Sequence, residues 1–417
     1  MGNLSTTLNI CQNCGSKCTT VLDLGEQPIC NRFLKSKTEF RNEKRYPLGL
    51  VFCPECMLVQ LPLSLPTEIV FTKDFNYLSG SSKDVVKYFG KISHTFITKF
   101  GLNDSDYVVD IGSNDGTFLK PFKEKGIKVI GVDPAKIPAK IANRDGIYTI
   151  PLSFEEAHDI VAKKTKGGKI RLFTAFNVIA HTGDINGFLD KVSNLLDINP
   201  NAVFVSQSHY LPKLIENCEF DTIYMEHQRF YTVTSMQNLF NSHHLYIYDC
   251  EEVPFYGGSI LVYASHNPRP QTKRLKVTLR LERRFSHIKT YMHFRKRVEG
   301  IRSRLLKLLE KEKANNHKII GVGAPMKSST LLNYCQIDRR LVDYLTETNF
   351  LKIGTYSPGT HLKIIDEKDF LTSIDNNPNT DALLLSWNMK STIVQKLRKA
   401  GFKGKFIIPI PKPELIR

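Results

Sequence analysis

The chain has 417 residues and a mass of 47.6 kDa, room for two or three globular units rather than one. Its 41% hydrophobic and 24% charged residues, with 25 Gly and 20 Pro, exclude general disorder, a collagen repeat and a disulfide-dense miniprotein. The balance of 58 Lys+Arg against 41 Asp+Glu is +17, which raises nucleic acid and membrane surfaces as partners to be weighed against where that charge lies.

Met1 to Ile10 has neither a basic start nor an apolar stretch of signal-peptide length, and no run elsewhere approaches the ~20 apolar residues that span a bilayer. The expectation is a cytoplasmic protein with no membrane partner. In that setting its 9 cysteines read as ligands or core thiols rather than disulfides. Cys11-Gln-Asn-Cys14 and Cys53-Pro-Glu-Cys56 are two C-x-x-C pairs with 38 residues between them. Four thiolates close a tetrahedron around Zn2+ and leave no open coordination position, so the predicted ion is structural rather than catalytic. The closed loop carries a strand-like stretch, Val21 to Leu24, and a loop from Glu26 to Tyr46. Cys18 and Cys30 lie inside it as alternative ligands, and free thiols are the competing reading.

Tyr107-Val-Val-Asp-Ile-Gly-Ser-Asn-Asp-Gly-Thr-Phe-Leu119 is an apolar strand that breaks into a glycine turn and then a helix. Gly112 and Gly116 allow close approach of backbone to a ligand, and the turn presents N–H groups at the helix start. Lys128 to Val132 form a second strand ending in Asp133, where a carboxylate can accept from ribose hydroxyls. The pattern is a Rossmann-like nucleoside site, with Asp110, Gly112, Asn114, Asp115, Gly116 and Asp133 as cofactor-binding candidates. It lacks the G-x-G-x-x-G that a pyrophosphate needs, so S-adenosylmethionine is favoured over NAD; the competing reading is a βαβ unit whose glycines only reverse the chain. Arg171 to Phe176 make a further strand leading to Asn177-Val-Ile-Ala-His181, which places Asn177 and His181 beyond its carboxyl end, near the cofactor. Ala202 to Ser208 repeats the pattern, with Ser206 to Tyr210 as rim candidates.

Asp221-Thr-Ile-Tyr224-Met225-Glu226-His227 then packs a phenol, a carboxylate and an imidazole into four positions. An imidazole can take a proton near neutrality, a carboxylate can fix its tautomer and a phenol can donate to a developing oxyanion, a grouping suited to enolate chemistry. A hydrogen-bonded surface pair is the alternative. From Arg269 to Lys313 there are 16 Lys+Arg against 4 Asp+Glu, so most of the excess charge sits on one segment. Leu275, Leu279, Phe285, Ile288, Met292, Val298, Ile301, Leu305 and Leu308 recur there at helical intervals. It reads as a connecting helix with a solvated basic face rather than an RNA-contacting surface, since aromatic interleaving is sparse. Lys318-Ile-Ile-Gly-Val-Gly-Ala-Pro325 is another strand feeding a glycine turn and helix, with Ala382 to Ser386 and Phe406 to Pro409 as buried strands. Lys327 at that helix start could neutralise a phosphate; otherwise it is a solvated lysine.

Taken in order, these motifs resemble the S-adenosylmethionine-dependent sugar C-methyltransferases of deoxysugar pathways, which methylate carbon 3 of nucleotide-linked 4-keto sugars. The resemblance runs through both Cys pairs, Leu24-Gly-Glu-Gln-Pro28, Asn31-Arg-Phe33, Tyr77 before a serine-rich turn, the Asp110 to Gly116 turn and the Asn177 to His181 run. It continues through Tyr224 to His227, Gly257-Gly-Ser259, Gly323-Ala-Pro325 with Lys327, and Ser357-Pro-Gly-Thr-His361. It departs where the family has histidine and this chain has Met225 and Tyr256, and where an acidic residue expected after Leu341 to Leu345 is replaced by Thr346. It implies an α/β chain with a small four-cysteine zinc domain (1–70), a central Rossmann-like methyltransferase domain (71–267), a basic helical connection (268–316) and a second Rossmann-like domain (317–417) that helps to hold a nucleotide sugar, His361 and Lys327 included. The expected chemistry has His227 as base, Glu226 as its orienting partner, Tyr224 and Tyr77 as donors to the enolate oxygen, and His181 as a further contact or alternative base. The competing functions are an RNA or protein methyltransferase docking through the zinc module and basic helix, and a non-catalytic zinc scaffold. Nucleic acid is disfavoured as a partner, and oligomeric state is left open.

Overall fold

Both C-x-x-C pairs fold into the same tight knuckle in the computed structural model, which describes residues 9–70, 78–166, 169–255, 257–372 and 379–417. Gly15 N donates to Cys11 O at 3.0 Å and Cys11 N to Ser16 O at 2.8 Å; Met57 N donates to Cys53 O at 3.0 Å and Cys53 N to Leu58 O at 2.9 Å. Each knuckle turns through a left-handed residue, Gly15 at φ 73° and Met57 at φ 64°. For Met57 that conformation costs roughly 1–2 kcal/mol, which the metal-closed turn must offset.

The first sheet is antiparallel, with strands Thr19–Pro28, Arg45–Phe52, Val59–Gln60 and Arg229–Phe230 in that order. Its edge is supplied from far along the chain, Val59 pairing with Phe230 and Gln60 with Arg229. A zinc unit bounded at residue 70 therefore does not close its own sheet, and the strand that completes it begins two residues after His227. The expected strand at Val21 to Leu24 is longer than its apolar centre, running on through Pro28, which shortens the expected loop.

The second sheet has seven strands, ordered Tyr246–Val253, Ser259–Ser265, Val203–His209, Lys169–Phe176, Asp106–Ile111, Lys128–Val132 and Thr149–Ile150. The last five are parallel, and Ser259–Ser265 runs antiparallel to both of its neighbours. Strand order reverses between Asp106–Ile111 and Lys169–Phe176, and a crevice opens at such a point beyond the carboxyl ends of the strands. Asp110 to Gly116 and Asn177 to His181 follow those two ends.

The third sheet is ordered Ile364–Asp366, Leu345–Glu347, Lys318–Val322, Thr380–Leu384, Phe406–Ile408 and Glu414–Ile416, parallel except for the last strand. The strand expected at Leu341 to Leu345 begins at Leu345, so the acidic residue at its end is Glu347 and not position 346. Glu347 Oε2 accepts from Ala324 N at 3.1 Å, much as Asp133 serves the glycine turn of the second sheet.

The basic segment forms helices Lys273–Glu282 and Ile288–Ala314. The longer one buries Tyr291, Phe294, Val298, Ile301, Leu305 and Leu309. Of the expected stripe, Val298, Ile301 and Leu305 are buried and Met292 and Leu308 pack half-buried beside Tyr291 and Leu309, whereas Ile288 at the helix start is exposed. Among the described residues no helix is long and apolar enough to cross a membrane.

One buried side chain joins the first sheet to the second. Arg229 is 1% exposed and caps three carbonyls of the loop that carries His181, with Nη1 on Ile179 O (3.3 Å) and Thr182 O (2.6 Å) and Nη2 on Gly183 O (2.8 Å). Arg229→Met strips those carbonyls of their donor while keeping much of the volume. It is expected to cost about 3 kcal/mol in urea denaturation; a loss under about 0.5 kcal/mol would show the loop to be held by packing alone.

Candidate active site and metal centre

The Sγ atoms of Cys11, Cys14, Cys53 and Cys56 all lie within 4.8 Å of one another, with Cys11 to Cys56 at 3.4 Å and Cys14 to Cys53 at 3.5 Å. Zn–S bonds of ~2.3 Å in a tetrahedron need sulfurs about 3.8 Å apart, so the four thiolates fit a zinc ion. Neighbours from the second unit steady them: Asn186 Nδ2 donates to Gln12 O (3.3 Å) and Asn13 O (3.0 Å), and Asn238 Nδ2 to Cys56 O (3.1 Å). Of the alternative ligands, Cys18 is buried beside the cluster but outside the set of four, its thiol lying 3.9 Å from Ser16 O. Cys30 is elsewhere altogether, 3.8 Å from Glu226 Oε1.

The glycine turn is built from backbone donors spent on acidic acceptors. Asp133 Oδ2 accepts from Asn114 N and Oδ1 from Ala135 N, both at 2.8 Å. Asn114 Oδ1 accepts from Ser79 N (2.9 Å), and Asp115 Oδ2 from Gly80 N (2.8 Å). Asp133 thus shapes the turn, with carboxylate lone pairs left for ribose hydroxyls. Gly112, at φ 73°, has no room for a side chain, because a Cβ there would stand 2.5 Å from Val178 Cγ2. Asp110 lies beneath, bonded to Thr174 Oγ1, and burial pushes its carboxyl up to about 8. At the crevice Asn177 adopts φ 56° and its N–H bonds Gln207 O. The side chains of Gln207 and Ser208 are 0% and 1% exposed, yet Gln207 Nε2 and Ser208 Oγ have no hydrogen-bond partner among the described residues. An unspent donor such as Gln207 Nε2 near the end of that strand, beside a turn whose Gly112 and Gly116 carry no side chain, fits a polar ligand such as S-adenosylmethionine.

Beside this crevice stand two imidazoles with ring centroids 4.9 Å apart. His227 Nδ1 faces Thr222 O at 3.0 Å and its Nε2 faces Tyr224 Oη at 3.1 Å. A carbonyl only accepts, so Nδ1 carries the proton and Nε2 keeps a lone pair toward the phenol. Burial holds His227 well below the usual imidazole range, which keeps the ring neutral at pH 7. His181 repeats the pattern, with Nδ1 on Glu226 O at 2.7 Å and its titration pushed down to about 4 by burial.

Glu226 departs from expectation. Its carboxylate does not orient His227; it turns into the zinc unit, where Oε1 accepts from Asn31 Nδ2 at 2.5 Å and from the Cys30 thiol. The side chain is 2% exposed, and burial lifts its carboxyl to about 7. The orienting group of His227 is a main-chain carbonyl, which residue identity cannot reveal. Lys327 is neither solvated nor free for a phosphate: its Nζ lies 3.8 Å from Asp221 Oδ2, 3.9 Å above the Trp387 ring and 2.9 Å from Asn388 Oδ1. His361 is placed apart from the imidazole pair, stacked on Phe40 at 3.9 Å with Nε2 2.9 Å from Glu43 Oε2. It joins the zinc unit to the last sheet beside a cleft lined by Arg45, Arg339 and Arg340. Tyr77 and Tyr256 lie outside the described residues. Arg229 and Trp387 belong to no motif read from the sequence, and Asp221 and Thr222, though they open the quoted run, were given no role there.

Comparison with known proteins follows the same three-part division. Residues 11–71 match the family model of a zinc binding domain, residues 87–248 that of a methyltransferase domain and residues 254–411 that of a C-methyltransferase C-terminal domain. The chain is 30% identical over 424 residues to the C-methyltransferase NovU of Streptomyces niveus, spanning 100% of this chain and 99% of that protein. Among solved structures it is similar to the 1,6-didemethyltoxoflavin-N1-methyltransferase of Burkholderia thailandensis (18% identity, TM-score 0.35, 50% of this chain and 95% of that one). It is also similar to an S-adenosylmethionine-dependent methyltransferase of Clostridium acetobutylicum (14%, TM-score 0.34, 43% and 91%). Both likenesses are too low to bear on function.

Two outcomes follow from this geometry. Cys53→Ser is expected to lose stoichiometric zinc by elemental analysis and at least about 3 kcal/mol of stability, because four-ligand sites bind zinc with roughly 10 kcal/mol or more; full zinc content would contradict the ligand set. Burial lifts the Glu226 carboxyl to about 7 from its ordinary 4.5, so the folded state binds the proton more tightly and this contribution to stability is lost as pH rises from about 4.5 to 7. Glu226→Gln, which cannot ionise, is therefore expected to gain on the wild type by up to about 3 kcal/mol between pH 5 and pH 8. Urea denaturation at both pH values checks this, and a gap that stays constant would contradict it.

Proposed function

Because the chain belongs to the S-adenosylmethionine-dependent C-methyltransferases that carry an amino-terminal zinc-binding domain, we propose that it methylates a ring carbon beside the ketone of a nucleotide-linked 4-keto deoxysugar, through an enolate. The observation that carries the reading is the neutral His227, its proton fixed on Nδ1 and its Nε2 lone pair facing Tyr224. A carbon centre becomes nucleophilic only after it loses a proton, and acidity beside a ketone brings that loss within reach of an imidazole.

In this reading the sugar enters with its acidic C–H toward His227 Nε2. His227 takes the proton, and Thr222 O stabilises the imidazolium by accepting from Nδ1. Tyr224, released from His227 as Nε2 fills, donates to the enolate oxygen where charge develops. Asp110, Gly112, Asn114, Asp115, Gly116, Asp133 and Asn177 form the cofactor side, and S-adenosylmethionine bound there supplies an electrophilic methyl group. His181 lines the cleft as a second neutral imidazole. Glu226 acts through the zinc unit rather than on the base. The nucleotide sugar rests on the ordered motif resemblance; the third sheet, with its own glycine turn at Gly323, is the unit assigned to hold it.

His227→Asn is expected to lower turnover by about 10²–10⁴-fold while calorimetry still shows cofactor binding. Incubation of wild type with a panel of nucleotide-linked 4-keto sugars should yield one added methyl by mass spectrometry, with loss of deuterium from the carbon beside the ketone. Full turnover in His227→Asn would contradict the base, and methylation at oxygen with deuterium retained would contradict the enolate.

A further inference from the structure

The orientation of His227 depends on where residue 222 stands, since the Thr222 carbonyl holds Nδ1. Asp221 precedes it in the 3-10 turn Phe220–Thr222 and is 0% exposed. Its Oδ2 accepts from the Trp387 indole N–H at 2.6 Å and lies 3.8 Å from Lys327 Nζ, which rests on the Trp387 ring. On the other side of the carbonyl, Thr330 Oγ1 donates to Ile223 O at 2.8 Å. Residues 221 and 223 are thus gripped on both flanks of Thr222. Each of these gripping side chains comes from the last third of the chain, from helix Met326–Tyr334 and the turn Trp387–Met389, rather than from the sheet that bears the cofactor turn.

We propose that Trp387 and Asp221 are positioning residues through which the carboxyl-terminal unit aims His227 at the substrate, an inference that rests on His227 being the base. A buried carboxylate is an expensive way to fasten two units: apolar side chains of the same volume would usually hold them as well or better. What the carboxylate adds is direction. The indole N–H fixes one oxygen and Lys327 balances the charge, so the turn that presents the Thr222 carbonyl has one register against the sugar-holding unit. A unit that binds substrate and also sets the base couples the two, and a base misplaced by ~1 Å can cost as much as a hundredfold in rate.

The test compares Trp387→Phe, which keeps an aromatic ring for Lys327 while losing the indole N–H together with part of the ring system, with Asp221→Asn and Asp221→Ala, each confirmed as folded by its melting transition and by stoichiometric S-adenosylmethionine binding. Trp387→Phe is expected to lower kcat by about tenfold or more with KM for the sugar within about twofold of wild type. Asp221→Asn, which still offers the indole an acceptor, should retain more of kcat than Asp221→Ala. Wild-type kcat in Trp387→Phe, or a raised KM at unchanged kcat, overturns the inference, the latter by making Trp387 a substrate contact. Equal losses in Asp221→Asn and Asp221→Ala overturn it as well and decide the matter if Trp387→Phe does not fold. An active His227→Asn would remove the parent reading instead, so an inactive His227→Asn beside an unimpaired Trp387→Phe overturns only the positioning role.

Discussion

The hydrogen bond from His227 Nδ1 to the Thr222 carbonyl is the constraint on which the rest of the site depends. It fixes the tautomer, and with it which nitrogen can accept a proton; burial then keeps the ring neutral, so the lone pair on Nε2 is available near pH 7. A carboxylate in the same place would raise the imidazole toward protonation and so fill the Nε2 lone pair. A neutral carbonyl orients without charging. His181 uses the same device on Glu226 O, so both imidazoles of the cleft are held by main chain.

The three units are joined at that run of residues rather than strung beside it. Arg229–Phe230 completes the zinc sheet two residues beyond His227, Asn31 and Cys30 of the zinc unit hold Glu226, and Trp387 with Thr330 holds residues 221 and 223 from the carboxyl-terminal side. The four-cysteine zinc module therefore touches the Tyr224–His227 run directly.

Much of this was legible in the sequence, because strand-turn-helix units and Cys pairs are local patterns with local causes. The turn at Asp110 to Gly116 announces itself through glycines that must be left-handed, and Lys128–Val132 falls where its apolar run says. The four-cysteine set needed only spacing. What spacing could not supply is the direction of a side chain: Glu226 and His227 are neighbours in sequence, yet in a turn adjacent residues point apart, and the carboxylate crosses to Asn31. Partners contributed from a distance were equally hidden. Lys327 reads as an ordinary helix-start lysine until Asp221, 106 positions earlier, is folded against it. The basic helix was less legible at its ends for a simpler reason: Met292 and Leu308 are as apolar as Tyr291 and Leu309, and only packing decides which of two adjacent positions is fully buried.

The most direct test of the central claim is the tautomer of His227, read by nitrogen NMR on zinc-loaded protein labelled in histidine, with His227→Asn used to assign the signal. At pH 7 the account predicts a neutral ring with the proton on Nδ1 and an unprotonated Nε2. A proton on Nε2, or a ring doubly protonated at that pH, would contradict it.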